Sequence, residues 1–394
     1  MKIMVTMETA DNALKSFYLD AVSEALDMKA NPLLARIQHS TADVWGKDVR
    51  KLVRYGVNGG IGAGTETGDL PTANGNNYVQ FVSTLKNLYG TIEISDKAIR
   101  ASENNEGAFV NLLNDEMQAL VRSSAFNFGR MLYGDGTGKL ATVSEVGMYN
   151  ELTLDSVAAV AEGMLIDFYS AAGKQLSNAC GRKISKVDRS TKTITVNGDA
   201  ITTSVVPNGA IVVLQNSYGN EITGLGAIFS SSTTLYGVNR TAHPWMSPYV
   251  KSDVGTINES ILQKAIDTIE ENSGSKVNFI VCSWGVKRAL TAFYTQNRTF
   301  VPTVEIEGGL KTLEFCGIPV VADRFCPEGT MYLLNTDDFC LHQLSDWRWL
   351  EGEDGKILKQ VAGKPVYTAT LVKYAELVCS RPFGQGMLSG IEED

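Results

Sequence analysis

The chain has 394 residues, 44% of them hydrophobic, and a formal net charge of −9, which is enough material for two or three domains with sizeable cores. The acidic balance excludes a dedicated nucleic-acid binder, which would gather Lys and Arg on one face, and no apolar run approaches the length needed to span a bilayer. The N-terminal MKIMVTMETADNALKSF turns polar too soon for a signal peptide, and six cysteines without a CxxC pair (Cys180, Cys282, Cys316, Cys326, Cys340, Cys379) fit reduced thiols in a soluble, cytosolic setting.

The first segment, 1–43, reads as an arm with one helix: Leu14, Phe17, Tyr18, Ala21, Val22, Ala25 and Leu26 share a face, and Asn31-Pro32 stops it. From Val44 to Ser95 the pattern is a two-strand ribbon. Its outgoing strand sets Val49, Val53, Tyr55 and Val57 against Asp48, Arg50 and Arg54, the alternation of a strand with one wet face. Its return begins at Tyr78, with Val79 and Phe81 in alternation. The tip, Gly56 to Asn77, is too polar and glycine-rich to be packed in a core, so in isolation it is expected to be mobile and to need a surface on another subunit.

A long amphipathic helix follows from Glu106 to about Leu132, with Phe109, Leu112, Leu113, Met117, Leu120, Val121, Phe128 and Met131 in one stripe. The stripe suits a core helix and does not keep the strict heptad of a coiled coil. Between Leu152 and Leu225 short β segments take over. Lys183–Val187 and Lys192–Val196 form a hairpin around Asp188-Arg189-Ser190-Thr191, and Ala210–Leu214 is another strand. This stretch is either an inserted β-rich subdomain or part of a larger sheet.

A mixed α/β block comes next. Thr256-Ile-Asn-Glu259 reads as a capping box opening a helix that Gly274 ends, with Ile257, Ile261, Leu262, Ile266 and Ile269 on its apolar face. Val277–Cys282 is a buried strand, Ser283 caps a second helix, and strands at Leu313–Phe315 and Ile318–Ala322 flank Gly317. Met331–Leu334 and Phe339–Leu344 continue that sheet, and Tyr367–Val378 is a long strand that must pair with something earlier in the chain.

Catalytic motifs fail on context. Gly59-Gly60-Ile61-Gly62-Ala63-Gly64 misses the GxGxxG register and precedes no helix, and Gly134 to Lys139 follows a helix and places Leu140 where a P-loop needs Ser or Thr. His39, His243 and His342 have no zinc spacing, no GxSxG is present, and acidic pairs such as Asp337-Asp338 read as solvated loops. The expectation is a protein that is not an enzyme, with no cofactor and no metal.

The order of segments, together with Leu235-Tyr-Gly-Val-Asn-Arg240, Leu313 to Asp323 and Tyr374 to Phe383, resembles the major capsid proteins of tailed bacteriophages with the HK97-type fold. That resemblance implies an α+β fold divided into an N-terminal arm (1–43), an E-loop ribbon (44–95), a P-domain with a long spine helix (96–151), an inserted β-rich subdomain (152–225), a P-domain return (226–255), an A-domain (256–345) and a C-terminal P-domain strand and tail (346–394). It implies self-assembly as hexamers and pentamers into an icosahedral virion shell around double-stranded DNA, without sequence-specific binding and without a membrane. It also implies assembly in the host cytoplasm, with a scaffolding protein, a portal and decoration proteins as partners.

The expected assembly contacts lie at the E-loop tip: Gly59, Gly60, Gly62, Gly64, Glu66 and Asp69, the last two meeting basic groups such as Arg122 or Arg130 on a neighbouring spine helix. Some members crosslink subunits through an E-loop lysine. Here the tip has none, and the nearest, Lys47, Lys51 and Lys86, lie on the stems. The rival readings are an encapsulin-like nanocompartment shell and, from a different class, a soluble enzyme or binding module.

Overall fold

The computed structural model describes residues 31–98, 106–297, 303–306, 310–352 and 355–393. The expected arm helix therefore lies outside the described residues.

The strand Val366–Cys379 organises the body. Along one edge it pairs antiparallel with Phe339–Trp349 (Phe339 opposite Cys379, Trp349 opposite Leu371), and along the other with Lys86–Ser95 (Val366 opposite Ser95, Ala375 opposite Lys86). The short strand Gln38–Ser40 extends the sheet parallel to Phe339–Trp349. The need of this C-terminal strand for earlier partners is thus met on both sides. Two expectations are corrected. Lys86–Ser95 is not ribbon, because pairing between the two stems ends at Asp48–Thr84. Phe339–Leu344 does not continue the α/β sheet, because its hydrogen bonds go to Val366–Cys379.

Helix α1 (Glu106–Met131) runs over this sheet, burying Met117, Val121, Ala125, Phe128 and Met131, which are positions three or four apart on one face. Phe109, Leu112 and Leu113 fall outside the described side chains. Beyond Tyr133 the chain turns through Gly136 and Gly138, both at positive φ, into a closed antiparallel barrel. Its strands, in order around the barrel, are Thr193–Val196, Glu151–Leu154, Lys139–Val146, Ile211–Leu214, Leu165–Tyr169 and Arg182–Asp188. The expected hairpin is present, with Thr193 opposite Asp188. The barrel has its own core, including Leu152, Ile166, Phe168, Ile184, Ile194 and Val212. The expected start at Leu152 is too late: Lys139–Val146 is a barrel strand, and closure needs it between Glu151–Leu154 and Ile211–Leu214.

The chain re-enters the body at Gly224, which opens the short helix α2 (Leu225–Ile228). The amide of Leu225 donates to the carbonyl of Leu132 at 2.7 Å. A seven-stranded sheet follows, in the order Tyr249–Lys251, Gly386–Leu388, Met331–Leu334, Phe279–Cys282, Ile318–Ala322, Leu310–Phe315, Thr303–Ile306. Strand alternation divides its side chains. Ile280, Cys282, Val320, Met331 and Leu333 pack with helices α3 (Glu259–Ser273) and α4 (Trp284–Asn297), whereas Phe279, Val281, Val321, Tyr332 and Leu334 join the core of the main body. Tyr249–Lys251 and Gly386–Leu388 lie outside the expected 256–345 block, so this sheet draws on both neighbouring segments.

Gly274 ends α3 in the left-handed region, as expected, but the N-cap is Asn258 and not Thr256. Asn258 Oδ1 accepts from the amide of Ile261 at 2.9 Å, while the Thr256 hydroxyl donates to Glu392 near the C-terminus. Ser283 caps α4 through the amide of Val286.

Gly224 is required by close approach. A Cβ there would stand 2.6 Å from the carbonyl oxygens of Leu132 and Gly134, and backbone at a helix end cannot retreat as a flexible side chain can. Gly224→Ala is expected to cost about 1–3 kcal/mol or more, read as a lowered denaturant midpoint with an unchanged slope.

Candidate assembly surface

The ribbon is a stem clamped at its root and a tip held clear of the body. Asp48–Tyr55 and Asn77–Thr84 pair without a break from Asp48–Thr84 to Tyr55–Asn77. The inward positions are those expected: Val49 is buried and Val53 and Tyr55 are half-buried, whereas Arg50, Leu52 and Arg54 face water. Val57, beyond the last pair, is 78% exposed.

Aromatic side chains fix the root. Tyr55 stacks on Trp245 at 5.0 Å and meets His243 edge-on, and Phe81 stacks on Tyr236 at 5.5 Å and on Trp245 at 6.2 Å. Such pairs contribute about 0.5–1.5 kcal/mol each beyond area burial. Tyr236 is itself pinned: its hydroxyl donates to the carbonyl of Leu377 and accepts from the amide of Cys379, so the clamp is tied to the organising strand. Burial pushes the Tyr236 hydroxyl well above its ordinary pKa, and it stays protonated as a donor. Sequence reasoning missed this clamp, because Tyr236, His243 and Trp245 sit in turns without periodicity.

In the tip, Gly60 is half-buried and every other residue from Gly56 to Asn77 is exposed. Its hydrogen bonds close within the ribbon: Asn58 Nδ2 to Asn76 Oδ1 at 3.2 Å, Gly60 N to Asn58 Oδ1 at 2.8 Å and Gly68 N to Thr65 O at 3.1 Å. The expected contact glycines have a different local use. A Cβ on Gly59 or Gly60 would crowd Asn74, and one on Gly62 would stand 3.1 Å from the Pro71 ring, so these positions let the two arms of the tip approach each other. A Cβ on Gly64 would stand 3.7 Å from the Asp69 carbonyl, in ordinary contact. Glu66 and Asp69 are exposed, with no ion pair among the described residues.

Of the two basic partners suggested for them, Arg130 is withdrawn. It is 5% exposed and bound in its own chain to Glu221 and to Asn127, the latter at 2.7 and 3.1 Å. Arg122 is exposed.

The remaining titratable groups are spread through the packing. His39 and His342 lie on neighbouring strands, the latter with Nδ1 3.0 Å from the Ala42 carbonyl, and His243 belongs to the root clamp. Cys282, Cys326 and Cys379 are buried, and burial pushes the Cys282 thiol up to about 12. Among the described residues no group of His, Cys, Asp and Glu is arranged to hold a metal. Lys373, 2% exposed, donates to Gln343 Oε1 and Asp346 Oδ1 at 2.7 Å each and lies over the rings of Phe128 and Trp347.

The fully buried Glu376 accepts from the amide of Thr223 at 2.8 Å, joining the organising strand to the segment that leaves the barrel. Its Oε2 has no partner among the described residues. Burial pushes this carboxyl up from the ordinary 4.5 to about 7, against the opposing pull of the Thr223 hydrogen bonds.

The chain has the fold of HK97-type capsid shell proteins. It is similar in fold to the cyanophage A-1(L) capsid asymmetric unit at 12% identity, over 92% of this chain and 93% of that chain, with a TM-score of 0.54. The SrpI encapsulin of Synechococcus elongatus PCC 7942 matches at 9% identity over 93% and 90%, TM-score 0.46, and the native GTA particle capsid at 11% over 93% and 90%, TM-score 0.45. Residues 215–355 match the model of the SU10 major capsid protein family. No curated protein matches the chain. The match over residues 215–355 and the fold both agree with the capsid resemblance read from the sequence.

The raised Glu376 carboxyl sets a pH dependence. Because its pKa is higher folded than unfolded, its contribution to stability is full below about 4.5 and is lost as pH rises through about 7. In Glu376→Gln this loss is absent, and any penalty from the new amide is constant with pH. The stability of the variant relative to wild type is expected to rise by about 2–3 kcal/mol between about pH 5 and about pH 8, measured by denaturant titration. A flat difference would show that Glu376 does not titrate in this range.

Proposed function

We propose that this protein assembles as hexamers and pentamers, through noncovalent contacts in which the ribbon tip of each subunit lies across a neighbour, into a virion shell enclosing double-stranded DNA. The observation that carries this is the ribbon itself: an aromatic clamp holds the stem, while Gly59, Gly60, Gly62, Gly64, Glu66 and Asp69 stand in a tip whose hydrogen bonds close within the ribbon. In this reading Val44–Leu85 is the E-loop, α1 the spine helix of the P-domain, the seven-stranded sheet the A-domain and the barrel an insertion.

The net charge of −9 suits a container that does not grip its genome. Lysine crosslinking is disfavoured, because the tip has no lysine and the Lys86 ammonium donates to the Gly219 carbonyl at 2.9 Å. A scaffolding protein, a portal and decoration proteins complete the proposed partners, with assembly in the host cytoplasm. The chain is read as structural and not as an enzyme.

Replacing residues 56–76 by Asn-Gly joins Tyr55 to Asn77 through a two-residue hairpin turn. The shortened protein is expected to keep its circular dichroism spectrum and its melting temperature and to lose particle formation in sedimentation velocity. Normal-sized particles would remove the tip from assembly, and an unfolded protomer would make it part of its own core. In wild-type particles, nucleic acid as the content is expected, and an enclosed enzyme would favour a cargo shell.

A further inference from the structure

The ribbon carries two exposed surfaces of opposite character. The tip, Gly56 to Asn77, has Glu66 and Asp69 as its only charged residues and exposes Val57 (78%), Ile61 (78%) and Leu70 (89%). The outer face of the stem is cationic. Arg50, Leu52 and Arg54 alternate outward on one strand, directly opposite Val82, Gln80 and Tyr78 on the other. On this face Leu52 is 64%, Tyr78 53% and Val82 38% exposed. Arg50 lies 3.7 Å from Asp48, and Arg54 has no ion pair among the described residues. The opposite face of the stem is already occupied by Trp245 and Tyr236.

Exposed apolar residues on a regular two-stranded ribbon attract other chains, and proteins ordinarily cover or charge them. Here each surface offers what the other lacks, carboxylates against guanidiniums with aliphatic groups between.

We propose that the acidic, aliphatic tip of one subunit docks on the outer stem face of a second copy, with Glu66 and Asp69 meeting Arg50 and Arg54. Two different patches then meet head to tail, so each subunit gives its tip and receives another. Repetition of such a contact closes a ring when its rotation permits. This rests on the proposed role of the tip in assembly and names the surface that receives it. It also gives the stem a second use: one face is clamped to its own body, the other bears the neighbour.

The test is charge exchange in the full-length protein, with particle yield read by sedimentation velocity and folding by circular dichroism. Glu66→Arg with Asp69→Arg, and separately Arg50→Glu with Arg54→Glu, are each expected to lower particle yield at least tenfold with the melt unchanged. The quadruple variant, in which every tip and every stem are reversed together, is expected to recover most of the yield. If Arg50→Glu unfolds the stem by facing Asp48, Arg54→Glu alone replaces the stem variant, Asp69→Arg alone the tip variant, and Arg54→Glu with Asp69→Arg the quadruple variant, each with the same expected outcome. A tip reversal that blocks assembly without recovery in the combined variant overturns the stem as acceptor and leaves the tip's role standing. Normal assembly of the tip-reversed protein overturns both.

Discussion

The body depends on one strand being paired along both edges. Val366–Cys379 lies between Phe339–Trp349, which arrives from the seven-stranded sheet, and Lys86–Ser95, which arrives from the ribbon. Segments nearly three hundred residues apart in sequence thus share one hydrogen-bonded layer. Buried along this strand are Lys373, satisfied by Gln343 and Asp346, and Glu376, bonded to the root of the barrel. Burying a polar group costs free energy that hydrogen bonds offset, so these contacts favour the meeting of these particular segments.

From this layer the ribbon projects as a supported arm. Leu85, buried between the two strand segments, donates its amide to the Lys47 carbonyl and marks where the stem leaves the sheet. Tyr236 connects the aromatic clamp to Leu377 and Cys379, so the direction of the stem is set by the same strand. The barrel is attached differently, by two chain crossings near Leu132 and Gly224, the Arg130–Glu221 pair and an ion pair of Lys192 with Glu328 at 3.7 Å. A separate core and a narrow attachment are what an insertion requires to leave its host fold undisturbed.

Local chemistry made much of this legible from sequence. Alternation at Asp48–Tyr55 placed the ribbon faces, the spacing of Met117, Val121 and Phe128 marked α1, and Gly274 and Gly317 occupy left-handed positions where turns were expected. What escaped was long-range pairing. Nothing in Leu85 signals that the strand after it changes sheets, and Phe339–Trp349 follows Met331–Leu334 so closely that continuity was the natural reading. Lys139–Val146 was hidden because the Gly134–Gly138 turn reads equally well as a helix stop and as a barrel entry. Asn258 outcompeted Thr256 as the cap because Glu392, over a hundred residues away, takes the Thr256 hydroxyl. At the assembly surface, exposure of the tip was readable from composition, whereas the clamp of Tyr236, His243 and Trp245 arises only in the folded chain.

In the proposed reading the subunit carries contacts that a monomer leaves unsatisfied, and the exposed ribbon tip and outer stem face are the surfaces assigned to them. The most direct measurement is negative-stain electron microscopy of the purified full-length protein across a concentration series, with sedimentation velocity on the same samples. Closed particles of uniform diameter, or rings of subunits that grow with concentration, are the predicted result. A monodisperse monomer at every concentration would contradict the assignment of the ribbon as an assembly element.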